Sequence, residues 1–276
     1  NGYVYDSQWG TNPWATGLTN HGGQANLNSL NITAWRLGGN SMTPYNWEQG
    51  ANNSGNDDAH KNSSFQSYIV TGNSAGAAPN FYTPANAIVT TQNHALSLGA
   101  AALIQLPMAG YVAADVNGTT CGTPGATPTR WKQVINTKPS AFSLTPNLSD
   151  GVIYVDEEIN FLKNQFGDAS TANGIKFYQT DNEVGLWAHY LGGGGVTGTH
   201  SVMHPALTTC GEIITKTYDL AKTIKIADPA AKVFSAGRWG YPEAYSVWSV
   251  WDGASHQPTD WPTYNVEPYL TNNTGN

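Results

Sequence analysis

The stretch IKFYQTDNEVGLW, residues 175–187, places polar side chains directly after a short apolar run. Its first six residues, Ile175–Thr180, have the aromatic and β-branched composition of a buried strand. Asp181, Asn182 and Glu183 follow that strand, although only 11% of the chain is charged, against about one quarter in typical domains. A chain that contains so few charges, and places two carboxylates at one strand end, predicts a functional site there.

The composition and charge narrow the classes of protein to which the chain can belong. With 276 residues, 39% apolar residues and 10 tryptophans, it can build a large core. The net charge of −7 and the lack of basic runs argue against nucleic acid and membrane partners. A chain that starts at Asn1 rather than Met predicts a secreted protein whose leader has been removed. The two cysteines, Cys121 and Cys210, fit either one disulfide or two buried thiols.

Strand and helix patterns alternate along the chain. Apolar runs predict strands at Gly2–Asp6, Ile32–Leu37, Ala101–Leu106, Ile175–Thr180 and Lys232–Ala236. Helical spacing predicts helices at Pro84–Leu98, Val152–Phe166 and Gly211–Ile226. This alternation is typical of a parallel α/β fold, and long loops after the strands favour a (β/α)8 barrel over an open sheet. Because a barrel needs eight strands, residues 1–276 are predicted to form one domain that contains about the first five.

The predicted helices carry apolar stripes that define their buried faces. In the second helix the stripe is Val155, Ile159, Leu162 and Phe166, and in the third it is Ile214, Tyr218, Ala221 and Ile224. Asp156, Glu157 and Glu158 fall in the first turn of the second helix, where acids complement the helix dipole, so we interpret them as structural. Residues 117–147 are rich in Gly, Thr and Pro and are predicted to form a long loop.

Glu183 is the main catalytic candidate, because it follows a predicted barrel strand. Barrels of this type place their active sites at the carboxyl ends of the strands. An Asn directly before the Glu can bind a substrate hydroxyl while the Glu protonates a glycosidic oxygen. The alternative is a structural Glu183 that caps the next helix or forms a salt bridge at the rim of the barrel.

Four segments resemble glycoside hydrolase family 44, in the order in which they occur in that family. RLGGNSMTPYNWEQGANNSG (36–55) resembles its second-strand motif, and LPMAGYVAAD (106–115) resembles its third-strand segment. Residues 154–187 resemble the helix and fourth strand that present its acid/base, and AKVFSAGRWGY (231–241) resembles its fifth strand. The matches span nearly the whole chain, which makes them specific together.

The resemblance implies a secreted, retaining endo-β-1,4-glucanase, acting on cellulose-type glucan or xyloglucan and requiring no cofactor. It implies that Glu183 is the general acid/base and Asn182 its neighbour. The implied substrate-binding residues are Arg36 and Asn40, which match the polar floor of the site, and the aromatic residues Tyr45, Trp47, Trp187 and Trp239. The partner of the chain is then a β-glucan, together with the remaining barrel segment, in cis or as a second chain.

The sequence departs from the family pattern in three places. Val184 stands where the family usually has Pro, which predicts a change in loop stiffness, and the loop 52–62 lacks the aromatic residues of relatives. Retention also needs a second carboxylate about 5–5.5 Å from the first, as nucleophile. Nothing in the chain matches the family's nucleophile motif, and Glu48 and Glu243 are weak candidates. We therefore expect the nucleophile to lie outside this chain.

Two further signals receive a plainer interpretation. GGGVTG (193–198) matches G-x-G-x-x-G but lacks the flanking strand and helix of a dinucleotide site, so it is predicted to be a loop. His189, His200 and His204 can form a metal site or serve as rim histidines, and no metal ligands are assigned, although the resemblance allows a structural cation. The alternative to an enzyme is a non-catalytic secreted glycan-binding or surface-structural protein with a hydrolase-like fold.

Overall fold

The computed structural model describes residues 3–6, 32–50, 57, 83–115, 122–124, 130–191 and 195–237. Within these ranges the elements are β1 (Tyr3–Asp6), β2 (Ile32–Leu37), α1 (Asn86–Ser97), β3 (Ala101–Leu106), β4 (Tyr111–Ala113), β5 (Trp131–Ile135), β6 (Val152–Tyr154), α2 (Val155–Phe166), β7 (Phe177–Thr180), β8 (His189–Leu191), β9 (Gly195–Thr197), α3 (Cys210–Ala227) and β10 (Lys232–Phe234). No helix in the described part of the chain is long and apolar enough to cross a lipid bilayer.

The main sheet contains five strands in the order β1-β2-β3-β7-β10, and all neighbouring strands are parallel. These are the five strands predicted from the apolar runs. Helix α1 connects β2 to β3, α2 precedes β7, and α3 connects β7 to β10. Because parallel strands all end on the same side, their last residues meet along one edge, which we call the carboxyl edge. The alternation of strands and helices confirms the predicted α/β class.

The predicted apolar stripe of α2 is confirmed. Val155, Ile159 and Leu162 are buried, and Phe166 packs partly buried against the same core. The core continues into the main sheet through residues such as Ile104 of β3, which is fully buried. Burial of a large aliphatic side chain is worth about 1.5–3 kcal/mol, so this stripe holds α2 in place.

The predicted buried face of α3 is wrong by about one residue. Ile213, Thr217, Leu220 and Ile224 are buried, whereas Tyr218, which was predicted to be on the buried face, is half exposed. Thr217 is fully buried, with its hydroxyl 3.6 Å from the sulfur of Met108. A stripe drawn from apolar residues alone omits this Thr, and that omission rotates the predicted face.

Helix α1 begins two residues later than predicted and ends one residue earlier, at Ser97, and Gly99 stops it as expected. Ala85, directly before the helix, adopts a left-handed conformation with φ 53°, so the helix begins at Asn86 rather than Pro84. Gly99 has φ +67° and donates its N–H to Leu96 O at 3.0 Å. Ala100 N donates to Ala95 O at 2.9 Å, which completes the glycine C-cap typical of helix ends.

The predicted long loop 117–147 contains a strand. Strand β5 lies within it and pairs antiparallel with β4 and parallel with β6, forming a second, three-stranded sheet. Strand β6 occupies Val152–Tyr154, so α2 begins three residues later than predicted. Strand β9 likewise covers Gly195–Thr197 of the segment predicted as a loop, and it pairs with β8. Short strands are hard to predict locally because their pairing partners lie elsewhere in the chain.

Candidate active site

Glu183 lies at the carboxyl edge, three residues beyond the end of β7. Its backbone is left-handed, with φ 43°, as is that of Asp181, with φ 69°. Asn182 forms an isolated parallel β-bridge with Gly237, and the Glu183 N–H donates to Gly237 O at 2.6 Å. Each such non-glycine conformation costs about 1–3 kcal/mol and is typical of functional sites.

The Glu183 side chain is partly exposed and open. No described residue forms a hydrogen bond or ion pair with its carboxyl group. Leu186 N donates to the Glu183 main-chain oxygen at 2.8 Å, so the backbone is held while the carboxyl group stays available. The alternative of a Glu183 side chain engaged in a helix cap or salt bridge is therefore not observed among the described residues.

A polar network holds the Asn182 side chain beside Glu183. Arg36 donates from Nε to Gln179 Oε1 at 2.8 Å and from Nη2 to Asn182 Oδ1 at 2.6 Å. Asn182 Nδ2 donates to Asn40 Oδ1 at 3.0 Å. These bonds fix the amide so that its oxygen faces Arg36 and one N–H remains for another partner. The structure thus brings together Arg36 and Asn40 from one predicted motif and Asn182 from another, and Glu183 directly follows Asn182 in the chain.

Sequence reasoning missed the buried polar residues that support this network. Gln179 Nε2 donates to Asp181 O at 2.7 Å, and Gln105 Oε1 accepts from Gly39 N at 2.7 Å. Gln105 and Gln179 lie opposite each other in β3 and β7, and both are buried. A Gln inside an otherwise apolar strand was the available signal, because a buried amide needs partners.

Comparisons with known proteins identify the family of the chain. The model of glycoside hydrolase family 44 matches residues 51–272. The chain belongs to glycoside hydrolase family 44. Endoglucanase A of Paenibacillus lautus is 37% identical over 211 residues, which are 76% of this chain and 28% of that protein.

Solved structures of the family superpose on the chain. The family 44 xyloglucanase of Paenibacillus polymyxa, solved with xyloglucan, matches at 35% identity with a TM-score of 0.69 over 88% of this chain. The family 44 endoglucanase of Clostridium thermocellum matches at 39% identity with a TM-score of 0.62 over 74% of this chain. The chain spans only 44% and 38% of these two relatives. The solved family 44 structures are TIM-barrel-like, which confirms the predicted barrel type, and the main sheet is part of that barrel. Family 44 glycoside hydrolases need no cofactor, as the resemblance implied.

Three aromatic residues predicted from family 44 motifs to face sugar are buried instead. Tyr45 is 3% exposed, and Trp47 and Trp187 are not exposed at all. Trp47 packs against Phe161, with ring centroids 5.5 Å apart, and Lys216 Nζ lies 5.3 Å from the Trp187 ring. A ring with almost no exposed surface cannot stack on a pyranose, so the prediction is wrong for these three residues. They belong to the hydrophobic core instead.

Some predictions fall on residues that the structure does not describe. Trp239 and Glu243 lie outside the described residues, and so do Cys121 and the side chain of Cys210. Their predicted roles, including a Cys121–Cys210 disulfide, stay predictions.

Glu48 is enclosed rather than available as a nucleophile. Glu48 and Lys132 are each 2% exposed and form an ion pair, with Oε2 and Nζ 2.5 Å apart. Lys132 also contacts Asp150 Oδ1 at 3.1 Å and Asn147 O at 2.9 Å. Burial raises the pKa of Glu48 to about 7, although Lys132 acts in the opposite direction. A buried carboxylate that is paired with a lysine is not available to attack a sugar, so the structure does not support Glu48 as the nucleophile.

Two of the three acids at the start of α2, Asp156 and Glu157, make structural contacts, and the third, Glu158, is buried. Asp156 accepts a hydrogen bond from Lys138 N, and Glu157 forms an ion pair with Lys138 and accepts from Ser143 N at 2.6 Å. Glu158 is 1% exposed, and its Oε2 accepts no hydrogen bond from the described residues. Burial raises the pKa of Glu158 to about 8, with a further contribution from the Glu48 charge.

Two of the three predicted histidines, His200 and His204, pair with acids rather than with one another. His200 Nδ1 lies 2.9 Å from Asp57 Oδ2, and His204 Nε2 lies 2.7 Å from Glu212 Oε1. Burial acts to raise the pKa of Glu212, but the hydrogen bonds from His204 and Lys216 outweigh it and lower the pKa to about 2. Within the described ranges no three His, Cys, Asp or Glu side chains are placed to hold a metal ion. These pairs favour the interpretation as local packing histidines.

Proposed function

We propose that this chain carries the acid/base part of the active site of a secreted, endo-acting, retaining β-1,4-glucanase. One observation carries the proposal. At the carboxyl edge, the carboxyl group of Glu183 has no partner among the described residues, and Glu183 directly follows Asn182, whose amide Arg36 and Asn40 hold in a single orientation. Active sites of barrel enzymes lie at this edge.

The geometry supplies one half of a double displacement. Glu183 donates its proton to the glycosidic oxygen as the bond to the anomeric carbon breaks, and the nucleophilic carboxylate forms a glycosyl ester with that carbon. Glu183, now ionised, then removes a proton from water, whose oxygen displaces the carboxylate and restores the starting state. The free N–H of Asn182 donates to a sugar hydroxyl beside the reacting carbon, which orients the ring.

We propose that the nucleophile comes from residues outside this chain, on a later barrel strand in cis or in a second chain. Among the described residues, Glu48, Glu157 and Glu212 are engaged in ion pairs and Glu158 is buried, so none of these four is open like Glu183. The chain also spans less than half of the solved family 44 structures that it matches. Both observations support a nucleophile beyond the chain.

The proposed substrate is an uncharged β-glucan, either cellulose-type glucan or xyloglucan. The network around Glu183 presents amide groups and a single guanidinium, which suit sugar hydroxyls rather than a charged polymer. The low charge content of the chain agrees with a neutral substrate. The matched relatives carry the names endoglucanase and xyloglucanase.

The decisive experiment replaces Glu183 by Gln in the native protein that contains these residues. We expect kcat/KM on β-glucan to fall by about 10²-fold or more, because the leaving sugar needs a proton. On an aryl glycoside with an acidic phenol as leaving group, the rate of the first step should fall less than it does on β-glucan. Added azide should accelerate turnover of the glycosyl-enzyme intermediate. Asp219→Asn, which removes an exposed carboxylate from α3, is the matched control and should leave activity unchanged. Wild-type cleavage by Glu183→Gln would refute the proposal.

A second candidate is a non-catalytic secreted glycan-binding or surface-structural protein. It is favoured by one observation: among the described glutamates other than Glu183, three are engaged in ion pairs and Glu158 is buried. Saturable binding of β-glucan without release of reducing ends would support it. The intact mass of the denatured native polypeptide separates the two: a mass well above 29.5 kDa, beyond any glycan, supports the enzyme, and a matching mass supports the binding protein.

A further inference from the structure

Asp181 is a buried carboxylate at the end of β7, and its side chain is not exposed. Its Oδ1 accepts hydrogen bonds from Thr43 Oγ1 at 2.6 Å, from Gln105 Nε2 at 3.0 Å and from Asn182 N at 2.7 Å. Its Oδ2 accepts from Met108 N at 2.6 Å and from Ala109 N at 3.1 Å. Five donors therefore converge on one side chain.

These donors come from three neighbouring strand ends. Thr43 follows β2, Met108 and Ala109 follow β3, and Asn182 follows β7. A single carboxylate therefore connects the loops that follow β2, β3 and β7, and the last of these loops carries Glu183. Strands fix the positions of their own residues, but the loops beyond them need such cross-links to keep a constant arrangement.

The bonding pattern fits the ionised form of Asp181. All five partners donate, and the Thr43 hydroxyl itself accepts from Gln105 Nε2 at 3.4 Å, which directs its own hydrogen towards Asp181. A protonated carboxyl group would place a sixth hydrogen among donors and would find no acceptor there. Burial raises the pKa of Asp181, and the hydrogen bonds from Thr43, Met108 and Asn182 oppose that change.

The same residue also shapes the backbone that presents Glu183. Asp181 is left-handed, and its own carboxylate captures the N–H of Asn182. Its main-chain oxygen accepts from Gln179 Nε2 at 2.7 Å and from Gly237 N at 3.3 Å. Hydrogen bonds therefore hold both the side chain and the main chain of Asp181, immediately before Asn182 and Glu183.

We propose that Asp181 is a positioning residue that holds Asn182 and Glu183 in register with the loops after β2 and β3. This inference rests on the proposed role of Glu183 as acid/base. A general acid must lie within about 0.5 Å of its productive position, and a misplacement of about 1 Å can cost about 10²-fold in rate. Asp181 itself need not touch the substrate.

The test is Asp181→Asn in the native protein, with two substrates. The amide brings an N–H₂ group against the donors and removes at least one acceptor. We expect kcat on β-glucan to fall by about 10- to 100-fold with KM nearly unchanged, because Glu183 is displaced while substrate contacts remain. The first, aglycone-releasing step on an aryl glycoside with an acidic phenol should fall much less, since that leaving group needs little protonation.

Two further variants keep the test informative if Asp181→Asn folds poorly. Thr43→Val removes one of the five donors without a change of shape, and it should lower kcat on β-glucan by about 3- to 10-fold with the same preference for the activated substrate. Asp228→Asn is the matched control: Asp228 is also buried and accepts from Ala169 N at 2.8 Å, but it follows α3. It should lower stability and leave the ratio of the two activities unchanged.

The outcomes separate this inference from the proposed function. If Glu183→Gln loses activity while Thr43→Val and Asp181→Asn affect both substrates equally or not at all, Asp181 is purely structural and the inference fails. If Glu183→Gln retains wild-type activity, the proposed function itself fails, and the positioning role fails with it. A selective loss on β-glucan in Asp181→Asn or Thr43→Val, absent in Asp228→Asn, supports the inference.

Discussion

At the carboxyl edge of the main sheet, neutral donors surround Asp181, and Glu183 beside it stays open. Beside the three-stranded sheet, Glu48 is paired with Lys132, and Glu158 is buried near them. Both regions contain buried carboxylates in a chain that has few charges. The first region, however, stabilises its buried anion with hydrogen bonds, and the second uses an opposite charge.

The difference shows why burial of a carboxylate does not by itself identify a functional residue. An ion pair such as Glu48–Lys132 satisfies both charges internally and leaves no atom for a substrate. Hydrogen bonds to Asp181 instead fix the backbone next to a second carboxyl group that has no partner among the described residues. The open group beside the rigid one is therefore the feature that indicates function.

The largest expected effect breaks the ion pair. Lys132→Met leaves Glu48 buried without its partner and should lower the free energy of unfolding by about 3–5 kcal/mol, measured by urea denaturation. The double variant Lys132→Met with Glu48→Leu should recover most of that loss, because no buried charge remains. A loss below about 1 kcal/mol in the single variant would contradict the contrast between the two regions.

The second prediction concerns the pH dependence of stability at Glu158. Burial raises its pKa from 4.5 to about 8, so the folded protein binds this proton more tightly than the unfolded chain. The resulting stability is fully present below pH 4.5 and is lost as the pH rises through about 8.

Glu158→Gln has a neutral side chain, like the protonated acid, and should remove the loss of stability at high pH. That loss amounts to a few kcal/mol, because each pKa unit corresponds to about 1.4 kcal/mol. Urea unfolding at several pH values between about 5 and 9 measures it. Asp219→Asn should keep the wild-type pH profile. Parallel profiles for Glu158→Gln and wild type would contradict the prediction.

The smallest expected effect lies at the partly exposed pair Glu212–His204. Glu212 is held by His204 at 2.7 Å and by Lys216 at 2.6 Å, and its pKa falls from 4.5 to about 2 despite burial. The stability from this group is present above pH 4.5 and is lost as the pH falls towards 2.

Glu212→Gln should therefore cost about 1–2 kcal/mol near neutral pH, since solvent screens a partly exposed pair, and the difference from wild type should vanish near pH 2. Acid unfolding monitored by circular dichroism checks this. A difference that persists unchanged at pH 2 would show that packing, rather than charge, holds Glu212.

Local patterns predicted the framework of the molecule well. The five strands of the main sheet and the α2 stripe were predicted correctly, because a strand such as Ala101–Leu106 is apolar except for Gln105 and a helix repeats its apolar side chains regularly. The α3 face failed at Thr217, whose burial depends on Met108 of a distant loop. The prediction missed strand β5 because β5 forms by pairing with β4 and β6, which lie before and after the segment 117–147 that was predicted as a loop.

The candidate site was predicted only in part, because local patterns give the positions of residues in the chain and not their tertiary contacts. Arg36, Asn40, Asn182 and Glu183 stand in recognisable motifs at strand ends, and parallel strands bring such ends together. Trp47 and Trp187 stand in the same motifs, but a motif names the residue type and not the direction in which it packs. Their burial was therefore missed.

The sequence by itself determined the order of the five main-sheet strands and the three helices, and the position of Glu183 after β7, because both depend on local composition and chain order. Only the tertiary structure decided which carboxyl group stays open and which is enclosed. Thr43 and Asp181 stand 138 positions apart, and Glu48 and Lys132 stand 84 apart. Hydrogen bonds and ion pairs depend on distances of a few ångströms, and no local pattern specifies contacts across such separations.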